Sequence, residues 1–182
     1  MNRAEPPPSL SQAAFREIMA CFPTGVAVVT AHAEGEPKGL TVSSFCAVSL
    51  SPPMVLVCVD QTSQTLPALR EAGGFTVNFL SLGRHELAAR FASKAEGKFE
   101  GVNWELPGLP QGGPVLIDDV NAYAVCVTTE AFAAGDHWIF LGEVREGAVS
   151  AEVAPLVYHR RSYVALGGTT PPSTEGSQTG RR

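Results

Sequence analysis

Apolar residues recur along this chain with two different periods, and each change of period marks an element. Phe15, Ile18, Met19 and Phe22 fall at i, i+3, i+4 and i+7, the spacing of one helical face. The sequence therefore predicts a helix over 9–22, opened by Ser9 with Gln12 as a capping box and ended by Pro23-Thr24-Gly25. Residues 26–31 predict a strand, and Glu34-Gly35-Glu36-Pro37 predict a turn. The most informative stretch follows, GLTVSSFCAVSLSPPMVLVCVD from Gly39 to Asp60. Thr41, Ser43, Ser44 and Ser49 interrupt an otherwise apolar strand, Pro52-Pro53 breaks it, and a fully apolar strand runs from Met54 to Val59. Period-two alternation puts Thr41 and Ser43 on one face and Leu40, Val42 and Ser44 on the other. Hydroxyls in such a strand either close a corner of the fold or hold a polar ligand.

The polar loop Gln61-Thr62-Ser63-Gln64-Thr65 leads into a short predicted helix with Leu66, Leu69 and Ala72 inward and Gly73-Gly74 as its stop. A strand is predicted over 75–80. Ser81 is expected to cap another helix, with Leu87, Ala88, Phe91 and Ala92 as its apolar face. Residues 93–114, with Trp104 and several glycines, read as loop. Two long strands, over 122–131 and 137–144, are joined by Ala133-Ala134-Gly135-Asp136, and a last short strand lies near 156–166. Residues 1–8 read as a flexible Pro-rich arm, 9–166 as one domain, and 167–182 as a disordered tail. Strands joined mostly by hairpins, with helices inserted between them, predict a mainly β, closed or partly closed antiparallel barrel.

Composition narrows the function. A chain of 182 residues, 45% hydrophobic and 17% charged, is expected to fold as one soluble domain with a real core. A net charge of −5 without a basic stripe argues against nucleic acid as a partner. No apolar run reaches the length of a membrane span, and the N-terminus shows no signal-peptide pattern. Cys21, Cys46, Cys58 and Cys126 lie in apolar stretches without a CxxC pair, the expectation for reduced, buried thiols of a cytoplasmic protein. His32, His85, His137 and His159 have no metal-ligand spacing. Neither GxGxxG nor a Walker motif occurs, so no nucleotide is expected to bind in the Rossmann manner.

Four groups of residues carry candidate chemistry. Ser63 and Thr65, at a helix start, form either an anion site or an ordinary N-cap. Lys94 by itself reads as a solvated lysine. Gly135-Asp136-His137 puts an imidazole at a strand corner, where it either reaches a ligand or bonds its own turn. His159, Arg160, Arg161 and Tyr163 make a basic-aromatic cluster suited either to phosphates or to a subunit contact. Asp118-Asp119 reads as a turn opening a strand rather than as an acid–base pair.

The segments PTGVAVVTA (23–31), GLTVSSFCAVSLSPPMVLVCVD (39–60), FTVNFLS (75–81), GDHWIFLGEV (135–144) and PLVYHRRSY (155–163) resemble, in order, those of the flavin reductase-like family. The resemblance runs over 11–166 and implies an antiparallel Greek-key split β-barrel, the FMN-binding split barrel. It is strongest to the NAD(P)H:flavin oxidoreductases of two-component monooxygenases. That likeness implies a homodimer with FMN or FAD near the subunit interface, and NADH or NADPH as hydride donor. A separate flavin-dependent monooxygenase would receive the reduced flavin. By the same resemblance, Thr41, Val42, Ser43 and Ser44 lie along the isoalloxazine and ribityl chain. Cys58, Val59 and Asp60, with Ser63 and Thr65, approach the ring and phosphate. Phe91, Ser93 and Lys94 complete the phosphate site, with Lys94 as counter-charge. His137 is the implied catalytic residue beside the nicotinamide, and His159, Arg161 and Tyr163 are implied to clasp NAD(P)H. Two other readings stay open: a flavoenzyme like pyridoxamine-phosphate oxidase, disfavoured by the lack of a second basic cluster, and a non-enzymatic flavin-binding barrel.

Overall fold

In the computed structural model, the described residues are 10–150 and 153–166. The expected N-terminal arm, Ser9 and the C-terminal tail lie outside them. Helix α1 (Gln12–Ala20) starts later than predicted, because Ser11 is its cap and accepts from the Ala14 N–H at 3.2 Å. After β1 (Thr24–Gly25), the strands β2 (Ala27–Ala33) and β3 (Glu36–Val42) form a hairpin across Glu34-Gly35, both in left-handed conformation. β4 (Phe45–Leu50) turns at Ser51-Pro52 into β5 (Pro53–Asp60). Next come α2 (Leu66–Ala72), β6 (Gly74–Leu80) and α3 (His85–Ala92). β7 (Trp104–Glu105) falls inside the segment expected to be loop and pairs with β8 (Val115–Leu116), just past its end. β9 (Val120–Ala134) and β10 (His137–Val149) are longer than predicted. Ala133 and Ala134 belong to the ladder, leaving only Gly135-Asp136 as the loop, with Gly135 at φ 64°. The last predicted strand is a hairpin, β11 (Val157–His159) and β12 (Ser162–Val164).

Seven strands make one antiparallel sheet in the order β3-β2-β6-β9-β10-β5-β4. Its two edges, β3 and β4, are consecutive in sequence and joined only by Ser43-Ser44. The hydroxyl-rich stretch is thus two strands on opposite margins of one sheet, and the barrel is split at that seam. β1, β11 and β12 form a separate three-stranded sheet.

Period-two alternation divides the core. From β2, Ala27, Val29 and Ala31 join Val55, Val57, Val59, Phe75, Val77 and Phe140, and α2 adds Leu66, Ala68 and Leu69. Val26 and Val28 face a second cluster with Leu80, Ala88, Phe91, Leu116 and Leu156, the seat of α3. The predicted inward residues of α2 hold, and Gly73 ends that helix at φ 69°. Ser81 does not cap α3: its N–H donates to the Asp119 carbonyl at 2.9 Å, and the helix opens at Arg84. Ala92, expected to face inward, is exposed.

The largest departure concerns α1. It has no buried residue, and Phe15, Ile18, Met19 and Phe22 are 56, 59, 48 and 65% exposed. Its amphipathic face is real but is left largely open among the described residues. The expectation of four buried thiols fails for a related reason. Cys126 is buried and Cys58 half-buried, but Cys21 and Cys46 are exposed, since the ends and edges carrying them are open on one side. No helix among the described residues is long and apolar enough to cross a membrane.

Candidate functional site

A groove follows the seam. At one end, Thr62, Ser63 and Ser93 give it hydroxyls, Lys94 and Lys98 ammonium groups, Gln64 an amide and Asp60 a carboxylate. Thr41 and Ala92 carry it into a middle section with Val42, Ser43 and Tyr163. Ser43 and Tyr158 open it in turn into an apolar cavity of about 550 Å³. Phe45, Cys46, Leu56 and Cys58 floor that cavity, α1 supplies Phe15, Met19 and Phe22, and His159, Arg160 and Arg161 stand at the turn of the β11–β12 hairpin. These adjoining cavities grade along the seam from charged and hydroxylic to apolar and aromatic.

Local hydrogen bonds fix each part. Asp60 Oδ1 accepts from the Thr62 N–H at 2.6 Å and from Thr62 Oγ1 at 2.7 Å, and both bonds hold its carboxyl below the usual carboxylate range. The Ser63 N–H donates to the Asp60 carbonyl at 2.9 Å, closing a tight loop. Ser63 Oγ accepts from the Thr65 N–H at 3.2 Å. Lys98 Nζ donates to the Phe91 carbonyl at 3.0 Å, and burial pulls its pKa down. Burial pushes the Cys58 thiol up, so it stands in the groove as a neutral group. Arg160 and Arg161 adopt left-handed conformations, φ 47° and 63°, that side chains rarely accept. The turn is held because the Arg160 N–H donates to the Ala20 carbonyl at 2.8 Å and Arg161 pairs with Glu17. α1 is thereby tied to the far wall of the cavity.

Of the residues singled out from the sequence, the groove brings together Thr41, Val42, Ser43, Ser44, Cys58, Asp60, Ser63, Phe91, Ser93, Lys94, His159, Arg161 and Tyr163. Three stand apart. Val59 is fully buried in the core, facing away from its neighbours Cys58 and Asp60. Thr65 is buried, and its hydroxyl donates to the Gly39 carbonyl at 3.0 Å, closing a corner instead of facing the groove. His137 does not line the groove. It sits opposite Asp60 in the β10–β5 ladder, with Nδ1 2.7 Å from Asp136 Oδ1. The Gln61 N–H donates to the Asp136 carbonyl at 3.0 Å, so this corner buttresses the Asp60 loop from behind.

Four of the groove hydroxyls are also committed: Thr41 Oγ1 donates to the Ala88 carbonyl at 2.7 Å, Ser44 Oγ to the Cys58 carbonyl at 2.8 Å, Ser93 Oγ to the Arg90 carbonyl at 2.7 Å and Thr62 Oγ1 to Asp60 Oδ1 at 2.7 Å. Phe45, Leu56, Tyr158, Lys98 and the α1 face were missed by sequence reasoning. Leu56 was within reach of it, because alternation puts it on the same face as Cys58.

The model of the flavin reductase like domain matches residues 19–167. This chain belongs to the flavin reductase like family. It is 48% identical over 151 residues to a flavin reductase (NADH) of Kitasatospora aureofaciens, covering 82% of this chain and 78% of that protein. It is 35% identical over 152 residues to HsaB, the reductase subunit of a flavin-dependent monooxygenase from Rhodococcus jostii, with 84% and 76% covered. Among solved structures, the NADH:FAD oxidoreductase SgcE6 of Streptomyces globisporus superposes with a TM-score of 0.81 at 32% identity, covering 90% of this chain and all of that one. As a family member, the chain has the split-barrel fold that its strand order displays.

Proposed function

We propose that this protein is an NAD(P)H-dependent flavin reductase, passing a hydride from the nicotinamide to FMN or FAD and handing the reduced flavin to a separate monooxygenase. The observation that carries this reading is the graded groove along the seam. A flavin nucleotide is a flat, largely apolar ring, a hydroxylated chain and an anionic phosphate in that order, and the groove offers matching partners in that order. Ser63 and Lys94 hold the phosphate, beside Ser93, whose own proton goes to the Arg90 carbonyl. Ser43, whose hydroxyl has no partner among the described residues, faces the ribityl chain. Cys58, Leu56, Phe45 and Tyr158 border the ring and exclude water from it. When bound, the flavin supplies a two-electron acceptor. The side chains need only hold two rings in register, which is why no acid–base triad is required. His159, Arg160 and Arg161, at the outer turn, take the phosphates of the nicotinamide nucleotide. His137 acts through Asp136, whose carbonyl accepts from the Gln61 N–H, and so positions the Asp60 loop at the edge of the site.

The exposed face of α1 continues into the walls of the apolar cavity, and a second copy of this chain is the partner that covers both. The working form is accordingly a homodimer. Its setting is the cytoplasm, where nicotinamide nucleotides are supplied and the chain's four free thiols stay reduced.

The test is oxidation of NADH and NADPH followed at 340 nm with FMN or FAD in excess (about 340 nm being the dihydronicotinamide band). Oxidation that requires added flavin is expected; tight flavin binding without turnover would refute the reading. In stopped flow, His137→Ala is expected to slow the reductive half-reaction by about tenfold. An unchanged rate would make His137 a turn residue only.

A further inference from the structure

Beyond the phosphate end of the groove lies a second polar cavity of about 470 Å³, with Pro37, Lys38, Glu96 and Phe99 in its walls. It shares Gln64 and Lys98 with the groove, so the two spaces adjoin through these side chains. Lys98 is the partition. Its ammonium donates to the Phe91 carbonyl at 3.0 Å and the Gly39 carbonyl at 3.4 Å, and a third proton has no partner among the described residues. A half-buried ammonium that meets only carbonyls is costly to keep charged, and an anion at the junction would offset that cost.

FMN ends at one phosphate, which on the reading above Ser63 and Lys94 take, so nothing of it is left to enter the second cavity. FAD continues through a second phosphate to a ribose and an adenine. We propose that the second cavity receives the adenylate half of FAD, with Lys98 and Gln64 at the pyrophosphate and Lys38 at the outer rim, so that this chain selects FAD over FMN. Phe99 and Pro37 give the adenine an apolar wall, and the Glu96 carboxylate is an acceptor for its amino group or for the ribose hydroxyls. The proposal rests on the flavin reductase reading of the groove and deepens it.

Titrating the full chain with FAD and with FMN, read by quenching of flavin fluorescence, separates the two ideas. The unmodified protein is expected to bind FAD at least about tenfold more tightly than FMN. Lys38→Glu, on the exposed rim and away from the first phosphate, is expected to weaken FAD about fivefold and FMN by less than about twofold. Lys98→Met should weaken both flavins, FAD the more. Equal affinity of the unmodified protein for the two flavins, or equal weakening of both by Lys38→Glu, would overturn the proposal and leave the reductase reading standing. So would a Lys38→Glu protein whose KM for NADH rises while its FAD affinity holds, since the cavity would then belong to the nicotinamide nucleotide. Failure to bind either flavin would overturn both.

Discussion

Ser43 and Ser44 are neighbours with different occupations. Ser44 spends its proton on the Cys58 carbonyl of neighbouring β5, whereas Ser43 has no partner among the described residues and opens onto the groove. Ser43→Ala is expected to raise the apparent flavin KM about tenfold with the melting temperature unchanged. Ser44→Ala is expected to act the other way round, lowering stability by about 1 kcal/mol while flavin affinity shifts little. Equilibrium binding and thermal unfolding on the two single variants check both. Sequence showed that hydroxyls concentrate here but not which of them are free. Thr41 and Thr65 give their protons to carbonyls on elements remote in the chain, so their fate depends on tertiary placement that no local pattern encodes. Lys98 escaped notice for a similar reason, since a lysine in a Gly/Glu-rich loop reads as solvated until Gly39 and Phe91 are seen to enclose it.

Elements were most legible where alternation was strict. β5 reads in the sequence as an apolar strand and shows buried residues at Val55, Val57 and Val59, with Leu56 and Cys58 turned to the groove. The break between β3 and β4 was hidden, because both flanks have the same composition and Ser43-Ser44 contains neither proline nor glycine. The segment read as loop is held down by a buried polar network. Asn78 Nδ2 donates to the Pro114 carbonyl at 3.1 Å, its Oδ1 accepts from the Leu116 N–H at 2.9 Å, and Thr30 Oγ1 donates to Pro114 at 2.6 Å. Asn78→Ala strands the Leu116 N–H in the core and is expected to cost about 2 kcal/mol in urea unfolding. Gly113→Ala is expected to cost at least as much, because a Cβ there would overlap the Thr30 carbonyl. Either variant unfolding like the unmodified chain would show that β7 and β8 contribute nothing to the global transition.

For the whole molecule, the sequence recorded a surface that one chain leaves unused. The period of α1 is that of a helix with a partner, and its apolar residues lie open beside exposed Cys21 and Cys46. Ile18 lies on that face without lining the groove, which makes it a clean probe of association. Sedimentation is expected to find a dimer for the unmodified chain and a monomer for Ile18→Glu. A variant that stays dimeric would move the contact elsewhere. The family and the barrel were readable because short motifs recur in a fixed order. The topology that makes the groove was not, since it arises from where two margins of a sheet come to rest.

That topology ties binding to mechanics. A molecule lying along the Ser43-Ser44 link bridges two strands that share no ladder, and so acts as a removable clasp on the barrel. Letting go of its cargo loosens the protein along a single line, and a reductase that must release what it has reduced has placed its weakest joint where the cargo leaves.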